Sequence, residues 1–442
     1  IGSDNEIFGN YDSSHLFGYL GHSDKCTSTE TITNINLLNV GSVINMYAMF
    51  DGTGYNSMTK LDLGDNFDTS NVTSMSAMFW ATGRKAMTTL NLGSKFDTSK
   101  VTNMNNMFYY TGVEKMTELN LGSKFNTSNV TSMSAMFCAT GRKAMTTLNL
   151  GTNFNTSKVK DMNSMFKDTG YSAMTELDLG DNFDTGNVTN MSEMFSTTGH
   201  ELMTRLNLRD KFDTSNVTNM YGMFWGTGNE AMTELNLGDK FNTSNVTNME
   251  GMFKNTGTVA LQKLDLGDKF YTTSATNMKT MFYNTGSSNM TVLDLGPAFT
   301  KIATDNTEMF VNTGKSGAIT IQTSEQIYLD KNNFKLNTDA TSSAINYTQG
   351  IINAKYRTEW VKETTKVTRD SNDPKNDKIE ITLRGRTNAE VPAAEYTSDV
   401  TSSLKVEDIK KILLMNGPGV EEITDLTNIL TIKLSPATDA IN

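Results

Sequence analysis

Four side chains near the amino terminus, His15, His22, Asp24 and Cys26, are of the types that ligate a transition metal, and 28 methionines supply enough thioether sulfur to raise copper. Neither group has the spacing of a site. The protein holds 3 histidines in all, with no repeated ligand spacing, so capping or surface roles are expected of His15 and His22. Of the 28 methionines, 27 fall in fixed columns of a repeat, Met415 being the exception, which is the placement of core residues. No G-x-S-x-G, H-E-x-x-H or phosphate-binding loop occurs. Paired carboxylates on an acidic face leave a surface hydrolase as a lesser alternative. The expectation is a protein that is not an enzyme and carries no cofactor or metal.

The elements that hold these residues come from the repeat. Met58, Met87, Met116, Met145, Met174, Met203, Met232, Leu261 and Met290 each open a phrase like "MTKLDLG", at steps of 29 residues. A degenerate copy ends at Met49 and Phe50, and a shortened one carries Met309 and Phe310. Fixed-period self-similarity of this length marks a solenoid, in which each unit buries its apolar side only against the next.

Each unit has two halves. In "MTKLDLG", Leu61 and Leu63 face one way, Lys60 and Asp62 the other, and Gly64 stops the run, which predicts a short strand. In "TSNVTSMSAMF", Val72, Met75 and Phe79 fall at i, i+3 and i+7, which predicts about two helical turns. The column Ser70, Ser99, Ser128, Ser157, Gly186, Ser215 is then expected to cap those helices, and glycines such as Gly83 to end them. The expected fold is an α/β solenoid of strand-turn-helix units.

Two columns are left facing water. On the strand, Lys60, Thr89, Glu118, Thr147, Glu176, Arg205, Glu234 and Lys263 vary freely, while Asp62, Asn91, Asn120, Asn149, Asp178, Asn207, Asn236 and Asp265 stay within Asp and Asn. These read equally as tolerated polar positions of a sheet face or as a hydrogen-bonding surface for a protein or glycan. After each Met-Phe pair a second variable column runs Trp80, Tyr109, Cys138, Lys167, Ser196, Trp225, Lys254, Tyr283, a mixture that implies partial exposure. Residues 71–93 recur almost unchanged at 129–151 with Trp80 replaced by Cys138, so Cys138 reads as an accident of duplication. Stacking would separate Cys26 and Cys138 by several rungs of about 4.8 Å, and both thiols are expected free. The five "NVT" sequons, at Asn71, Asn129, Asn187, Asn216 and Asn245, are expected to serve local hydrogen bonding, since their column also accepts Lys100 and Lys158.

The net charge of -11 argues against nucleic acid or an anionic membrane as partner. No apolar run of about 18 residues appears, so direct membrane insertion is not expected. The opening "IGSDNEIFGN" carries neither Met nor a basic, apolar leader, which reads as a mature or trimmed fragment.

The wording "LxLGxxFxTSNVTNMxxMF" over about residues 30–325 resembles the BspA-like leucine-rich-repeat surface proteins of bacteria, also described as Mycoplasma-lipoprotein-like repeats. That resemblance implies a leucine-rich-repeat solenoid, an extracellular or cell-surface place, and an adhesin-like role toward a host or neighbouring-cell protein or glycan. It offers no catalytic residues. Further on, "SNDPKNDKIEITLRG" followed by "VEDIKKILLMNG" resembles the immunoglobulin-like modules of Gram-positive surface proteins, which implies a β-rich stalk. The expected organisation is an N-terminal cap and degenerate repeat (1–57), the solenoid (58–318), a cap and linker (319–365) and an immunoglobulin-like domain (366–442), in a monomer. The surface set expected to bind is Lys60, Asp62, Glu118, Asn120, Glu176, Asp178, Arg205, Asn207, Glu234 and Asn236 on the strands, with Trp80, Tyr109, Trp225 and Tyr283 beside them. A passive cell-surface spacer is the alternative of a different class.

Overall fold

The computed structural model describes residues 7–22 and 31–315 in full and, beyond them, the backbone of strands within 320–323, 355–356, 359–368, 378–388, 412–416, 419–423, 430–435 and 440–441. Two compact units divide the chain: Ile1–Thr323 with Leu329–Lys355, and Ser324–Tyr328 with Tyr356–Asn442.

The first unit is a β-solenoid. Its short strands are β1 (Ile7–Phe8), β2 (Leu38–Asn39), β3 (Lys60–Asp62), β4 (Thr89–Asn91), β5 (Glu118–Asn120), β6 (Thr147–Asn149), β7 (Glu176–Asp178), β8 (Arg205–Asn207), β9 (Glu234–Leu235), β10 (Lys263–Asp265) and β11 (Val292–Asp294). Paired strands are parallel and in register with the period of the sequence, as in Lys60 opposite Thr89, Glu118 opposite Thr147 and Arg205 opposite Glu234. A second ladder of single bridges threads the other side of every rung, from Asp12 to Asn45 to Ser74 and on to Asp305, joining eleven positions. In β3 the alternation behaves as its pattern dictates: Leu61 is buried and Lys60 exposed.

The helix expected over each Met-rich phrase does not form. Among the described residues the one helical element is a 3-10 turn, Ile35–Leu37, so strand-turn-helix units and an α/β class are corrected to an all-β solenoid. An α-helix would send each N–H to the carbonyl four residues back. Here alternate N–H groups leave the rung altogether: Ala77 donates to the Asn105 carbonyl at 2.8 Å, Phe79 to Met107 at 2.9 Å and Ala81 to Tyr109 at 2.7 Å. The groups between them close tight turns, Met78 to Met75 at 3.2 Å, Trp80 to Ala77 at 3.0 Å and Thr82 to Phe79 at 3.1 Å. Turns of three residues put apolar side chains on one side at nearly the spacing a helix would, which is why Val72, Met75 and Phe79 read as helical.

Closing turn on turn this way requires left-handed residues within the run, and Ala77 (φ 56°), Ala81 (φ 51°) and Gly83 (φ 54°) supply them. Gly83 is obligatory as well as left-handed, because a Cβ there would stand 2.3 Å from Cβ of Met87. The residues expected as N-caps have another use. Ser70 presents its backbone N–H to Asp68 Oδ1 at 3.0 Å, and Ser99 does so to Asp97 at 2.8 Å, an Asx turn that steers the chain into the bridge position.

The core lies between the ladders. Every methionine from Met46 to Met290 is fully buried, and Met309 is 3% exposed. Phenylalanines stack on their own counterparts one rung away, Phe108 on Phe137 at 5.5 Å and 2° and Phe166 on Phe195 at 5.7 Å and 1°, each contact worth about 0.5–1.5 kcal/mol beyond area burial. Buried threonines bond across rungs too: Thr140 Oγ1 donates to the Phe108 carbonyl and Thr169 Oγ1 to that of Phe137, both at 2.7 Å.

In the second unit, Glu359–Thr368 pairs antiparallel with Lys378–Asn388, which pairs in parallel with Leu430–Ser435 and Ala440–Ile441. Ile412–Asn416 and Gly419–Ile423 form an antiparallel pair. The strand expected at "KIEITL" lies within Lys378–Asn388, and that at "NILTIKL" coincides with Leu430–Ser435 over Leu430 to Leu434, Asn428 and Ile429 lying outside the described residues. Of the expected cap and linker (319–365), most residues lie outside those described.

The sign of one substitution separates this backbone from a helical one. Ala81→Gly raises stability by about 1 kcal/mol, because an L-residue in the left-handed region carries a penalty of about 1–2 kcal/mol that glycine escapes. In a helix interior the same change would lower stability by about 1 kcal/mol. Met133→Ala in the core costs about 2–5 kcal/mol. Urea unfolding of the three proteins measures all of this.

Candidate functional site

The strand columns are the exposed surface that the repeat multiplies. Lys60, Thr89, Glu118, Thr147, Glu176, Arg205, Glu234 and Lys263 are exposed on every rung, and pairing sets neighbours such as Glu118 and Thr147 in register. Arg205 Nη2 reaches Glu176 Oε1 at 3.2 Å and stands opposite Glu234 on its other side.

The second column has a structural cause. Asp62 Oδ1 accepts the N–H of Gly64 at 3.1 Å, Asn120 that of Gly122 at 3.0 Å, Asp178 that of Gly180 at 2.9 Å, and Asn236 that of Gly238 at 2.9 Å. A short side chain with an oxygen at the δ position closes this ring best, which favours Asp and Asn. The turn uses one side-chain atom and leaves the other, an amide nitrogen or the second carboxylate oxygen, on the open face. Asn91 Nδ2 gives it to Asp62 Oδ1 at 3.0 Å.

The aromatic column follows the run of turns, a different part of the rung from the strand. Trp80 is 38% exposed and packs on Tyr109 at 4.8 Å. Farther along, Lys254 Nζ lies 4.6 Å from the Trp225 ring centre and 5.1 Å from that of Tyr283, so the two aromatic residues hold a cation between them. Cys138 is buried in the same column, and burial, with the Asp168 carboxylate nearby, pushes its thiol up to about 12, far from a reactive thiolate.

The sequon asparagines bond across rungs. Asn71 Nδ2 donates to the Gly41 carbonyl and Asn129 Nδ2 to that of Ser99, both at 2.8 Å, while Lys100 and Lys158 reach Asn71 and Asn129 Oδ1 at 2.7 Å. His15 packs edge-on to Tyr47, and His22 against Tyr19 and Tyr55. Asp24 and Cys26 lie outside the described residues, among which no group of three His, Cys, Asp or Glu side chains could hold a metal. No helix of the described residues is long and apolar enough to cross a membrane.

One residue escaped the sequence reading. The left-handed position after each strand is glycine at Gly64, Gly93, Gly122, Gly151, Gly180, Gly238, Gly267 and Gly296, but on β8's rung it is Arg209, with φ 64°. Its Nε bonds Asp178 Oδ1 at 2.7 Å, its Nη2 contacts Asp178 Oδ2, and its Nη1 lies 3.8 Å from Asp181 Oδ1. "LNLRD" at Leu206, against "LNLG" or "LDLG" in the other full units, is the signal that marks it.

Four overlapping stretches, residues 25–112, 83–201, 171–294 and 199–320, match the model of one family, described as Mycoplasma protein of unknown function, DUF285. The chain belongs to that family. No curated protein and no solved structure matches the chain. The DUF285 matches span the solenoid and stop short of the second unit, so family membership rests on the rungs.

The Asx turns of this DUF285 solenoid give it a pH dependence. Hydrogen bonds from Lys60 and from the Gly64 N–H hold the Asp62 carboxyl below its ordinary value, the Ser70 N–H does the same for Asp68, and Arg209 with the Gly180 N–H for Asp178. A carboxyl with a depressed folded value adds stability that is complete above its unfolded value, near 3.8, and is lost as pH falls through the folded one. The triple variant Asp62→Asn, Asp68→Asn, Asp178→Asn keeps the turns, as Asn91, Asn126 and Asn120 do in their rungs. Its unfolding midpoint should fall less than that of the parent between pH 5 and about pH 2, measured by thermal denaturation.

Proposed function

We propose that this DUF285 chain is a non-enzymatic surface or secreted binding protein, an adhesin whose strand face meets a protein or glycan of a host or neighbouring cell. One observation carries the reading. The column from Lys60 to Lys263 is exposed on every rung and free of any turn requirement, and it is there that residue type varies, while the Asp and Asn column beside it is held constant by its hydrogen bond to the backbone. Loops and faces released from scaffold duty are where recognition residues sit on a rigid fold. An in-register array presents them at about 4.8 Å intervals over a long, stiff ribbon, which suits an extended partner.

The BspA-like wording of the repeat supports an extracellular or cell-surface place for this role, and the β-rich second unit suits an immunoglobulin-like module. Cross-rung bonding gives the binding face rigidity without the convex helices of a leucine-rich repeat, so bound partners meet a preorganised surface.

A second reading, a passive spacer, is favoured by the near-identity of residues 71–93 and 129–151, since a spacer needs length more than variety. Capture on arrays of extracellular-matrix proteins and glycans separates the two. The binding reading expects a partner whose capture falls at least tenfold in Glu118→Lys, Glu176→Lys, Glu234→Lys. A partner captured equally by parent and variant removes the strand face from the reading, and an array with no capture leaves the spacer.

A further inference from the structure

The rung of Arg209 differs from its neighbours in three ways that coincide. Its left-handed residue carries a side chain where the others have glycine. The strand after it, β9, stops at Leu235, so Asn236 stands outside the ladder that Asn207 belongs to. Between the two rungs lies a half-open recess of about 390 Å³, with Arg209 and Asn207 on one wall and Asn236, Asp239 and Lys240 on the other.

We propose that this recess binds a neutral, hydroxyl-rich ligand, a saccharide unit; the proposal rests on the binding reading above and assigns it a ligand class and a place. Strain is the first argument. A Cβ built on Gly180 or Gly238, the rungs on either side, meets nothing within 4 Å, whereas one on Gly93 or Gly296 would stand 2.0 Å from a glycine carbonyl oxygen of the preceding rung, so beside Arg209 the backbone conformation alone excludes a side chain. Arg209 adopts it all the same, the one residue other than glycine among the left-handed positions of this column, and the exception falls at the recess.

Charge decides the class of ligand. Three cations, Arg205, Arg209 and Lys240, and three anions, Asp210, Glu234 and Asp239, line the recess. The two arginines are already paired with Glu176 and Asp178. That leaves Lys240 against the carboxylates of Asp210, Glu234 and Asp239, an excess that repels an anionic ligand and offers acceptors to hydroxyl hydrogens. An apolar ligand would bury these groups without partners. What the recess offers is paired donors and acceptors held still. Asn207 and Asn236 spend Oδ1 on the N–H of Arg209 at 3.2 Å and of Gly238 at 2.9 Å, which fixes both carboxamides and leaves their amide nitrogens as oriented donors. The Glu234 and Asp239 carboxylates are acceptors beside them. Sugar hydroxyls donate and accept on adjacent carbons, the pattern such a set matches. The volume lies within the range of small-molecule sites, about 300–1,000 Å³.

Saturation-transfer NMR on the full chain tests this with glucose, galactose, mannose and N-acetylglucosamine as probes, glucuronic acid as the charged control, and the variants Arg209→Gly and Asn236→Ala. The proposal expects transfer to at least one neutral sugar at millimolar concentration, weakened at least tenfold in both variants, and an Arg209→Gly chain that resists urea as well as the parent or better. It is overturned by transfer to none of the neutral sugars, by transfer that survives both variants, by transfer to glucuronic acid alone, or by an Arg209→Gly chain that unfolds at clearly lower urea, which would make Arg209 a brace. The lysine variant of the Glu118, Glu176 and Glu234 column is captured on the arrays in parallel. A partner lost there while the sugars stay unbound ends the recess proposal and leaves the wider binding surface standing.

Discussion

Alternate backbone N–H groups bond to the next rung and not to their own, and the rest of the solenoid follows from that. Once Ala77, Phe79 and Ala81 have given their hydrogens to Asn105, Met107 and Tyr109, neighbouring rungs have one register and no other. Each side chain then stacks on its own counterpart, so the interior can hold only residues that pack well on themselves. Phenylalanine can, through offset ring faces. Threonine can, because its hydroxyl donates to a carbonyl of the preceding rung while its methyl packs. Methionine, unbranched and flexible, fills what the rings leave. Buried charge is rare in such columns, Asp294 being the buried carboxylate among the described residues, since a charge stacked on itself at strand spacing would repel at every step.

The same rule reaches the surface. From Lys60 to Lys263 the exposed strand column contains no two like charges on adjacent rungs: lysine meets threonine or glutamate, and glutamate meets threonine, arginine or lysine. The limit belongs to the strand column: in the turn beyond it Asp181, Asp210, Asp239 and Asp268 follow one another rung on rung, as do Lys211, Lys240 and Lys269. Where the column brings Arg205 between Glu176 and Glu234, the constraint and the polar surface are met by one side chain.

Much of this was legible in the sequence, and the part that was not has a definite cause. The period, the strands and the burial of the methionines could be read because period-2 alternation and fixed columns have few alternative explanations. The Met-rich half could not, because tight turns and helices both place apolar residues three and four apart, as at Val72, Met75 and Phe79. A distinguishing signal was present in the column of Ala81. It holds Gly52, Asp168, Gly226, Asn255, Asn284 and Asn312, residues that tolerate a left-handed backbone and are poor in a helix interior. In the candidate surface, the Asp and Asn column was visible but not its reason, since an Asx turn is recognised from the glycine two residues on, as in Asp62 and Gly64. Arg209 was hidden by that same column of glycines, whose regularity drew attention from its one exception.

A repeat protein supplies its own control, and this gives the exceptions their weight. Each rung contacts only its neighbours, so every column is a set of near-replicate answers to one structural demand. Where the answers agree, as for Gly83 beneath Met87, the demand is steric and the residue says nothing about partners. Where they vary without penalty, as from Lys60 to Lys263, the scaffold is indifferent and recognition is free to act. The third case is the most telling. At Arg209 the scaffold's demand is plain from eight glycines, it is flouted once, and an acid on the preceding strand holds the offending side chain in place. A side chain pinned by Asp178 against the backbone's preference, at the edge of a recess, has the character of a positioned group.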